Sequence, residues 1–592
     1  MQMSIGYSRV LHVNLSTGKS NVINFDSRAR HIGGSGLAAA LYEAYGTPAG
    51  PCDALDEPLI FAIGPLTGAF PVMTKVVCAF RSPYTEQWAE SHAGGRLGLS
   101  LRFSGYDALM ITGRAPSLSA LVVGARSIEI KDVHYLRGRG VFGTGRELRR
   151  LGKSASGHRS TLRIGPAGEN GISYACINVD SFRHFGRLGA GAVMGGKNLK
   201  GIVVLGDGSY SLPEDAKAFN NLYKKIFTEV TTTSMMQKYH NLGTPENLEP
   251  LNAMQALPWR NLQATTDPAI STVTGAAIAE NFLLRKSACA GCPVGCIHIA
   301  NLRMQFGDDH EYLYKQVSYD YELIFAQGTM LGLSDPQEIL PILDETESCG
   351  LDCMSSGVAL AWATEALEKG VITEAETLLP LAFGTYKPYL EALRHLTKGT
   401  NEFWQALGKG TLYAAKHYGK GSEDYACVLG GQEMAGYATG EAYYVSHALG
   451  FRHSHLDSGG YSFDQSDKDK NVDKTTKFLV DDEHGRVLLN CMVGCMFARK
   501  VYSAGVLQEA LTVMGFKDVA LNLEQAGRNM QALRWKLKFA TGYVPEAQAI
   551  PQRFMDVRNW KGQVDPVYLE ALRTKYAQAL RNMAESAVTS PQ

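Results

Sequence analysis

The chain has no run of about 18 apolar residues, so no helix of ordinary membrane-spanning length is expected. Neither charge is in excess: 58 Lys and Arg stand against 58 Asp and Glu. No global basic field exists to recruit nucleic acid or an anionic membrane. The start, Met1-Gln2-Met3-Ser4-Ile5-Gly6, lacks a basic stretch followed by an apolar one, so no signal peptide is expected. There is no Gly-x4-Gly-Lys-Ser/Thr and no Rossmann fingerprint in a strand–helix setting, which disfavours a nucleoside triphosphate. The eleven cysteines are an odd number, and several sit in apolar settings such as Val77-Cys78 and Ala426-Cys427. That argues against a disulfide scaffold and for a reducing, cytoplasmic location.

The cysteines do form one pattern. Cys289, Cys292 and Cys296 are spaced Cys-x2-Cys-x3-Cys among small or apolar residues, and Cys495 lies far downstream. Three clustered thiolates and one distant thiolate can hold the corners of a [4Fe–4S] cubane. Small neighbours let backbone N–H groups approach the sulfurs. A four-thiolate structural zinc site and unrelated buried thiols are the alternatives.

With 592 residues and 45% hydrophobic composition, two to four domains are expected. Residues 1–208 are Gly-rich. Short β-type runs occur at Val10–Val13, Leu59–Ile63, Ala108–Ile111, Ala120–Val123 and Ile202–Leu205, most of them bounded by turn residues. After Ser211-Leu212-Pro213-Glu214 the pattern turns helical, giving parts 209–420 and 421–592. Asp335-Pro336 is a helix start, Val358–Leu367 reads as helix stopped at Gly370, and Glu524–Phe539 as another. Segment 464–485 is dense in Asp and Lys and reads as an exposed excursion.

The first part repeats itself. Gly64-Pro65-Leu66-Thr67-Gly68 returns as Gly165-Pro166-Ala167-Gly168-Glu169, and Gly95-Arg96-Leu97-Gly98 as Gly186-Arg187-Leu188-Gly189. Each copy then enters a strand closed by glycine, Met110–Gly113 and Val203–Gly206. Ordered landmarks of this kind predict two like lobes. Lys75, Arg81, Arg96, Arg183, Arg187, Lys197 and Lys200 fall in or beside the glycine loops. Glycine backbone and cations together suit a phosphorylated ligand.

Several stretches resemble the tungsten-containing aldehyde:ferredoxin oxidoreductase family. They are Arg9–Gly18, Gly64–Gly68, Phe103–Ala108, Ile164–Asn170 and, most specifically, Gly191-Ala192-Val193-Met194-Gly195-Gly196-Lys197-Asn198-Leu199-Lys200. The resemblance implies an α+β fold: a β-rich, pseudo-two-fold, bis-pterin-binding domain (1–208) followed by two mainly helical domains (209–420 and 421–592). It implies tungsten or molybdenum on two pterins, Mg2+ bridging the pterin phosphates, and a [4Fe–4S] cluster on Cys289, Cys292, Cys296 and Cys495. The family's late cysteine is followed closely by Phe, which here selects Cys495 (Cys495-Met496-Phe497) over Cys491. Cofactor contacts are expected from Lys75, His92, Gly94, Gly95, Arg96, Arg183, Gly186, Arg187, Leu188 and Gly189.

The family's pterin-edge motif, Asp-x-x-Gly-Leu-Asp, reads Glu347-Ser348-Cys349-Gly350-Leu351-Asp352 here. A carboxylate can accept parallel hydrogen bonds from a pterin edge. By itself Asp352 would read as a helix cap. The second motif's acid falls on Asn490, which has one acceptor oxygen and no charge.

The family's metal-proximal Glu aligns with Glu322, whose burial is expected to raise its pKa toward a general acid–base range. The family's His position falls at Gly460 or Tyr461, so His453, His455 and Tyr461 become the candidates. The implied activity is oxidation of an aldehyde, a small-molecule substrate, to a carboxylate. Electrons would leave for ferredoxin or an iron–sulfur partner subunit, with self-assembly of the chain also open. Alternatives are reduction of an activated aromatic or acyl substrate within a complex, and a non-catalytic iron–sulfur or zinc scaffold.

Overall fold

Both copies of the sequence repeat fold into the same six-stranded sheet. The computed structural model describes residues 6–152, 158–208, 213–306, 310–467 and 469–587. Met1–Ile5, Ser211-Leu212 and Lys468, all used in the sequence reading, lie outside them. The first lobe contains β1 (Tyr7–Asn14), β2 (Lys19–Asp26), β3 (Leu59–Ala62), β4 (Val76–Arg81), β5 (Trp88–Ala93) and β6 (Ala108–Thr112). The second contains β7 (Ser119–Val123), β8 (Ile128–Asp132), β9 (His158–Arg163), β10 (Ile177–Val179), β11 (Arg183–Phe185) and β12 (Leu199–Gly206).

The sheet orders are β2-β1-β6-β3-β4-β5 and β8-β7-β12-β9-β10-β11, strand for strand the same. Each has a single parallel pair at the same place, β1 with β6 and β7 with β12. All five predicted strand runs fall on strands. The Gly-Pro landmarks follow β3 and β9, and the Gly-Arg-Leu-Gly landmarks follow β5 and β11.

Alternation along the strands explains how the sheets stack. Leu11, Leu59, Phe61, Leu121, Ile202 and Val204 share one core between the two sheets. Ile60, Ala62 and Val77 point the other way, into the core shared with the helical part. Ala120, Val122 and Val203 face a small third cluster with Leu136 and Leu148. Period-two side-chain placement requires this division. β5 touches β11, so the equivalent end strands meet across the pseudo-two-fold relation.

Beyond Asp215 the described chain is mostly helical, with one three-stranded sheet, β13 (Leu283–Ser287), β14 (Ile297–Gln305) and β15 (Tyr312–Tyr319). Asp335 caps helix Pro336–Cys349 by accepting from the Gln337 N–H at 2.8 Å. The next helix runs Cys353–Glu368, and a later one Leu523–Ala540. Among the described residues no helix is long and apolar enough to cross a membrane.

Segment 464–485 is not an excursion. It ends helix Gly460–Ser466 and enters helix Val472–Cys491, which packs on helices Gly34–Tyr45, Leu523–Ala540 and Pro566–Glu585. Asp469, Lys470, Asp473, Lys474, Lys477 and Asp481 are exposed as expected, but Thr475, Glu483 and His484 are buried with partners. Thr475 bonds the Tyr568 hydroxyl at 2.7 Å, Glu483 accepts from the Trp535 indole at 3.1 Å, and His484 meets Glu524 at 2.9 Å. Paired polar groups can enter a core that composition alone would deny them.

Candidate cofactor and active site

The cysteine loop spans the gap between β13 and β14 and is pinned to the first lobe. The Ala290 N–H donates to the Gly95 carbonyl (3.1 Å) and the Val72 N–H to the Gly291 carbonyl (3.2 Å). Cys495 arrives from the far end of the chain and donates its N–H to the Val72 carbonyl at 3.2 Å. Burial pushes the Cys292 thiol up to about 12, and its neighbours Cys495, Cys296 and Cys289 push the same way. Cys296 rises to about 11 through burial, opposed by Arg183 and Lys75 and assisted by Cys495 and Cys289. The four thiols are thus electrostatic neighbours. Among the described residues no three His, Cys, Asp or Glu side chains converge as a single metal ion would need. Cys491 is fully buried elsewhere, beside Arg534 and Glu90.

The two lobes hold the ends of two helices in matching ways. A Cβ on Gly64 would meet the Met492 carbonyl carbon at 2.6 Å, and a Cβ on Gly165 would meet Gly350 N at 2.8 Å. Lys75 N–H donates to the Val493 carbonyl and Cys176 N–H to the Gly350 carbonyl, both at 2.9 Å. Lys75 and Cys176 are separated by the same offset as Gly64 and Gly165. Gly350 (φ 75°) and Val493 (φ 56°) are both left-handed. The pseudo-symmetry therefore pairs Glu347 with Asn490 and Asp352 with Cys495.

On the second lobe's side the carboxylates are engaged by protein. Glu347 accepts from Asn178 at 2.9 Å and meets His184 at 2.7 Å. Burial alone would raise its pKa, but His184, Arg163 and Asn178 outweigh this and hold it below the ordinary range. Asp352 caps helix Cys353–Glu368 through the Met354 N–H (3.0 Å) and also accepts from the Arg187 guanidinium (3.1 Å). Gly186, Arg187, Glu347, Leu351 and Asp352 line a cavity of about 120 Å³.

The predicted cations separate. Arg81, Lys197 and Lys200 donate to backbone carbonyls of Gly50, Glu57 and Arg139, and Lys200 also pairs with Glu169. Lys197 thus ties the second lobe to the first, while Arg81 and Lys200 bind within their own lobes. Arg96 is exposed and donates its backbone N–H to Asp180, while the Leu188 carbonyl accepts from the Ser82 hydroxyl and Gly189 packs on Pro83. A Cβ on Gly94 would meet Cys289 Sγ at 2.5 Å, Lys75 Nζ at 3.4 Å and Arg183 Cδ at 3.6 Å, so those groups surround one spot beside the thiols. Arg183 Nε and Arg187 Nη1 are buried without a hydrogen-bond partner, and His92 Nε2 lies 3.3 Å from Glu90. Such orphaned donors between the lobes fit an anionic, acceptor-rich group.

Three of the four proton-transfer candidates come together. Glu322 Oε1 accepts from the Tyr437 hydroxyl at 3.1 Å and lies 3.2 Å from His455 Nε2, while Tyr461 stacks on Tyr437 with centroids 4.6 Å apart. All four line a cavity of about 510 Å³. The expected raised pKa of Glu322 is not what the structure shows. Burial pushes it up, but the hydrogen bond and charge of His455, with Tyr437, leave it below normal. The raised acid is its neighbour Asp320, pushed up to about 6 by burial and then by the Glu322 charge. His453 is apart: it is fully buried, with Nδ1 on the Ala448 carbonyl (2.9 Å) and Nε2 on Lys538 (3.3 Å). Sequence reading missed Tyr437, Asn178 and His184, since nothing local to Ala435-Gly436-Tyr437 marks it and the other two act on a residue distant in sequence.

Comparisons with known proteins give the chain its relatives. The chain matches the model of the aldehyde ferredoxin oxidoreductase N-terminal domain over residues 10–206, and that of domains 2 and 3 over residues 221–583. It is 30% identical over 421 residues to a tungsten-containing aldehyde ferredoxin oxidoreductase of Pyrococcus furiosus, covering 70% of this chain and 67% of the relative. It is 28% identical over 431 residues to an aliphatic sulfonate oxidoreductase, WOR-like subunit, of the same organism, covering 69% and 66%. The fold is also that of a chain in the active site complex of benzoyl coenzyme A reductase with 1,5 dienoyl-CoA, at TM-score 0.82 and 19% identity over 98% of this chain and 95% of that one. This protein belongs to the aldehyde ferredoxin oxidoreductase family, a family of oxidoreductases.

Proposed function

We propose that this chain, divided at 1–208, 209–420 and 421–592, is the catalytic subunit of a bis-pterin tungsten or molybdenum enzyme that oxidises an aldehyde to a carboxylate. The observation that carries the proposal is the polar cavity holding Glu322, His455, Tyr437 and Tyr461 in a family member whose lobes leave Arg183 and Arg187 with orphaned donors. Oxidising RCHO with one water to RCOOH releases two electrons and two protons. The metal group, when bound, supplies the two-electron acceptor.

The protein's share is orientation and proton movement. Glu322, kept ionised by His455, accepts one proton at its carboxylate, and Tyr437 holds that carboxylate in place. Asp320, two residues earlier, titrates in a range suited to relaying it. Glu347 and Asp352 would meet one pterin edge, and Asn490 the other. Lys75 and Arg183 would lie between pterin and thiols. Cys289, Cys292, Cys296 and Cys495 would hold the [4Fe–4S] cluster, a reading supported by the Cys-x2-Cys-x3-Cys spacing and by the docking of both the cysteine loop and Cys495 on Val72. Electrons would then pass to ferredoxin or an iron–sulfur partner subunit.

The test is the metal, iron and pterin content of anaerobically purified protein, followed by an aldehyde panel with a viologen acceptor. Pterin with tungsten or molybdenum and aldehyde-dependent viologen reduction are expected. Protein without pterin would overturn the reading. A second reading, reduction of an activated aromatic or acyl substrate, is supported by the whole-chain fold likeness to the benzoyl coenzyme A reductase chain. Loaded protein that ignores every aldehyde but oxidises reduced viologen with such a substrate would favour it.

A further inference from the structure

The cavity of Glu322 carries more than proton-transfer groups. Three cations also line it: Lys238, Arg486 and Arg499. Two are committed. Arg486 binds Asp482 at 2.6 Å and the Leu456 carbonyl at 3.3 Å, and Lys238 binds the Asn247 side-chain oxygen at 2.6 Å. Arg499 donates from Nη1 to the Met496 carbonyl at 3.0 Å and also hydrogen-bonds the Tyr239 phenol, and among the described residues it forms no ion pair with a carboxylate.

The groups that act on Arg499 are the phenols of Tyr461 and Tyr239, with Asp482 already held by Arg486. Glu246 also lines the cavity but is not among the groups that act on Arg499. A guanidinium flanked by two phenol donors is a donor set for a carboxylate. Tyr461 links this end to the other, because it stacks on Tyr437, and Tyr437 holds Glu322. Flat walls continue with Tyr239 stacked on Phe497, centroids 3.7 Å apart and planes 10° from parallel.

We propose that the substrate is an aldehyde bearing a second, anionic group: Arg499, with Tyr239 and Tyr461, holds that carboxylate, and a planar spacer lying along the tyrosines carries the aldehyde toward Glu322. The inference rests on the reading of this cavity as the aldehyde site.

The test compares 4-carboxybenzaldehyde with benzaldehyde on metal- and pterin-loaded enzyme, together with calorimetric binding of 4-carboxybenzaldehyde under anaerobic conditions without acceptor. The carboxylated aldehyde should have a kcat/KM roughly 10- to 100-fold higher, chiefly through KM, as suits a charge-assisted contact. In R499Q this preference should fall to about one and the Kd should rise by a similar factor. R499K, which keeps the charge, should recover part of both. Equal kcat/KM for the two aldehydes in the parent enzyme, or an unchanged Kd in R499Q, would overturn the inference. Oxidation of benzaldehyde without preference would sink the anion site and leave the proposed function standing. Oxidation of neither, with tight Arg499-dependent binding, would sink the proposed function and leave the anion site standing.

Discussion

The two lobes share topology strand for strand, yet they face different chemistries. The first lobe grips a helix end with Asn490, Val493 and Cys495 and also grips the cysteine loop. The second grips a helix end with Glu347, Gly350 and Asp352. Cys495 stands where Asp352 stands, and Lys75 where Cys176 stands. One scaffold repeated thus sets thiols on one side of a pseudo-two-fold relation and carboxylates on the other. The scaffold specifies positions, and residue choice at those positions specifies whether a side presents thiols or carboxylates.

The comparison is broken most severely at the thiols. C292A should lose most of about four irons per chain while the second lobe's fold is kept. Iron analysis checks this, and stoichiometric zinc in the parent protein would refute the cluster. Next in size is E322Q, which keeps the volume and removes the titration. Turnover should fall at least ~100-fold with metal, pterin and iron unchanged. Normal turnover in the loaded variant would remove Glu322 as the proton acceptor.

A smaller effect sharpens the contrast between Gly350 and Val493. G350A puts a Cβ on a left-handed residue, 2.7 Å from Gly165 N, where backbone has little freedom to yield. A cost of about 1–3 kcal/mol is expected in urea unfolding. An unchanged midpoint would show that the second lobe's grip is loose. Val493 tolerates the same backbone region because its buried side chain packs in the core.

The smallest effect lies outside the lobes. Burial pushes Glu483 up to about 7, against Arg534, Gln531 and Trp535. The folded state therefore holds more protons than the unfolded state between its ordinary pKa and about 7. Its contribution to stability falls as pH rises through that window. Thermal melts of E483Q should lose this part of the slope, and an identical slope would rule the residue out.

Much of this was legible in sequence because it is local. Strand runs between turn residues, the Asp335-Pro336 start and the repeated glycine landmarks each leave a short signature. The helix at Val472–Cys491 did not, because its buried Thr475, Glu483 and His484 are matched by Tyr568, Trp535 and Glu524 from elsewhere in the chain. The same holds at the site. Glu322 could be found by alignment, but the sign of its pKa shift depends on His455 and Tyr437, and no local pattern places them. His455 and His453 look equivalent in sequence; only packing puts one in the cavity and the other on Lys538.

The pinning of the cysteine loop has a consequence for how the molecule is made. Three thiols and their first-lobe anchors are synthesised early, but the fourth is reached only after the whole middle of the chain. Contacts this far apart in sequence close late, since loop closure must precede any gain from them. The first-lobe site at Val72 and Lys75 therefore stays uncovered during much of synthesis, until residues 493–495 dock on it.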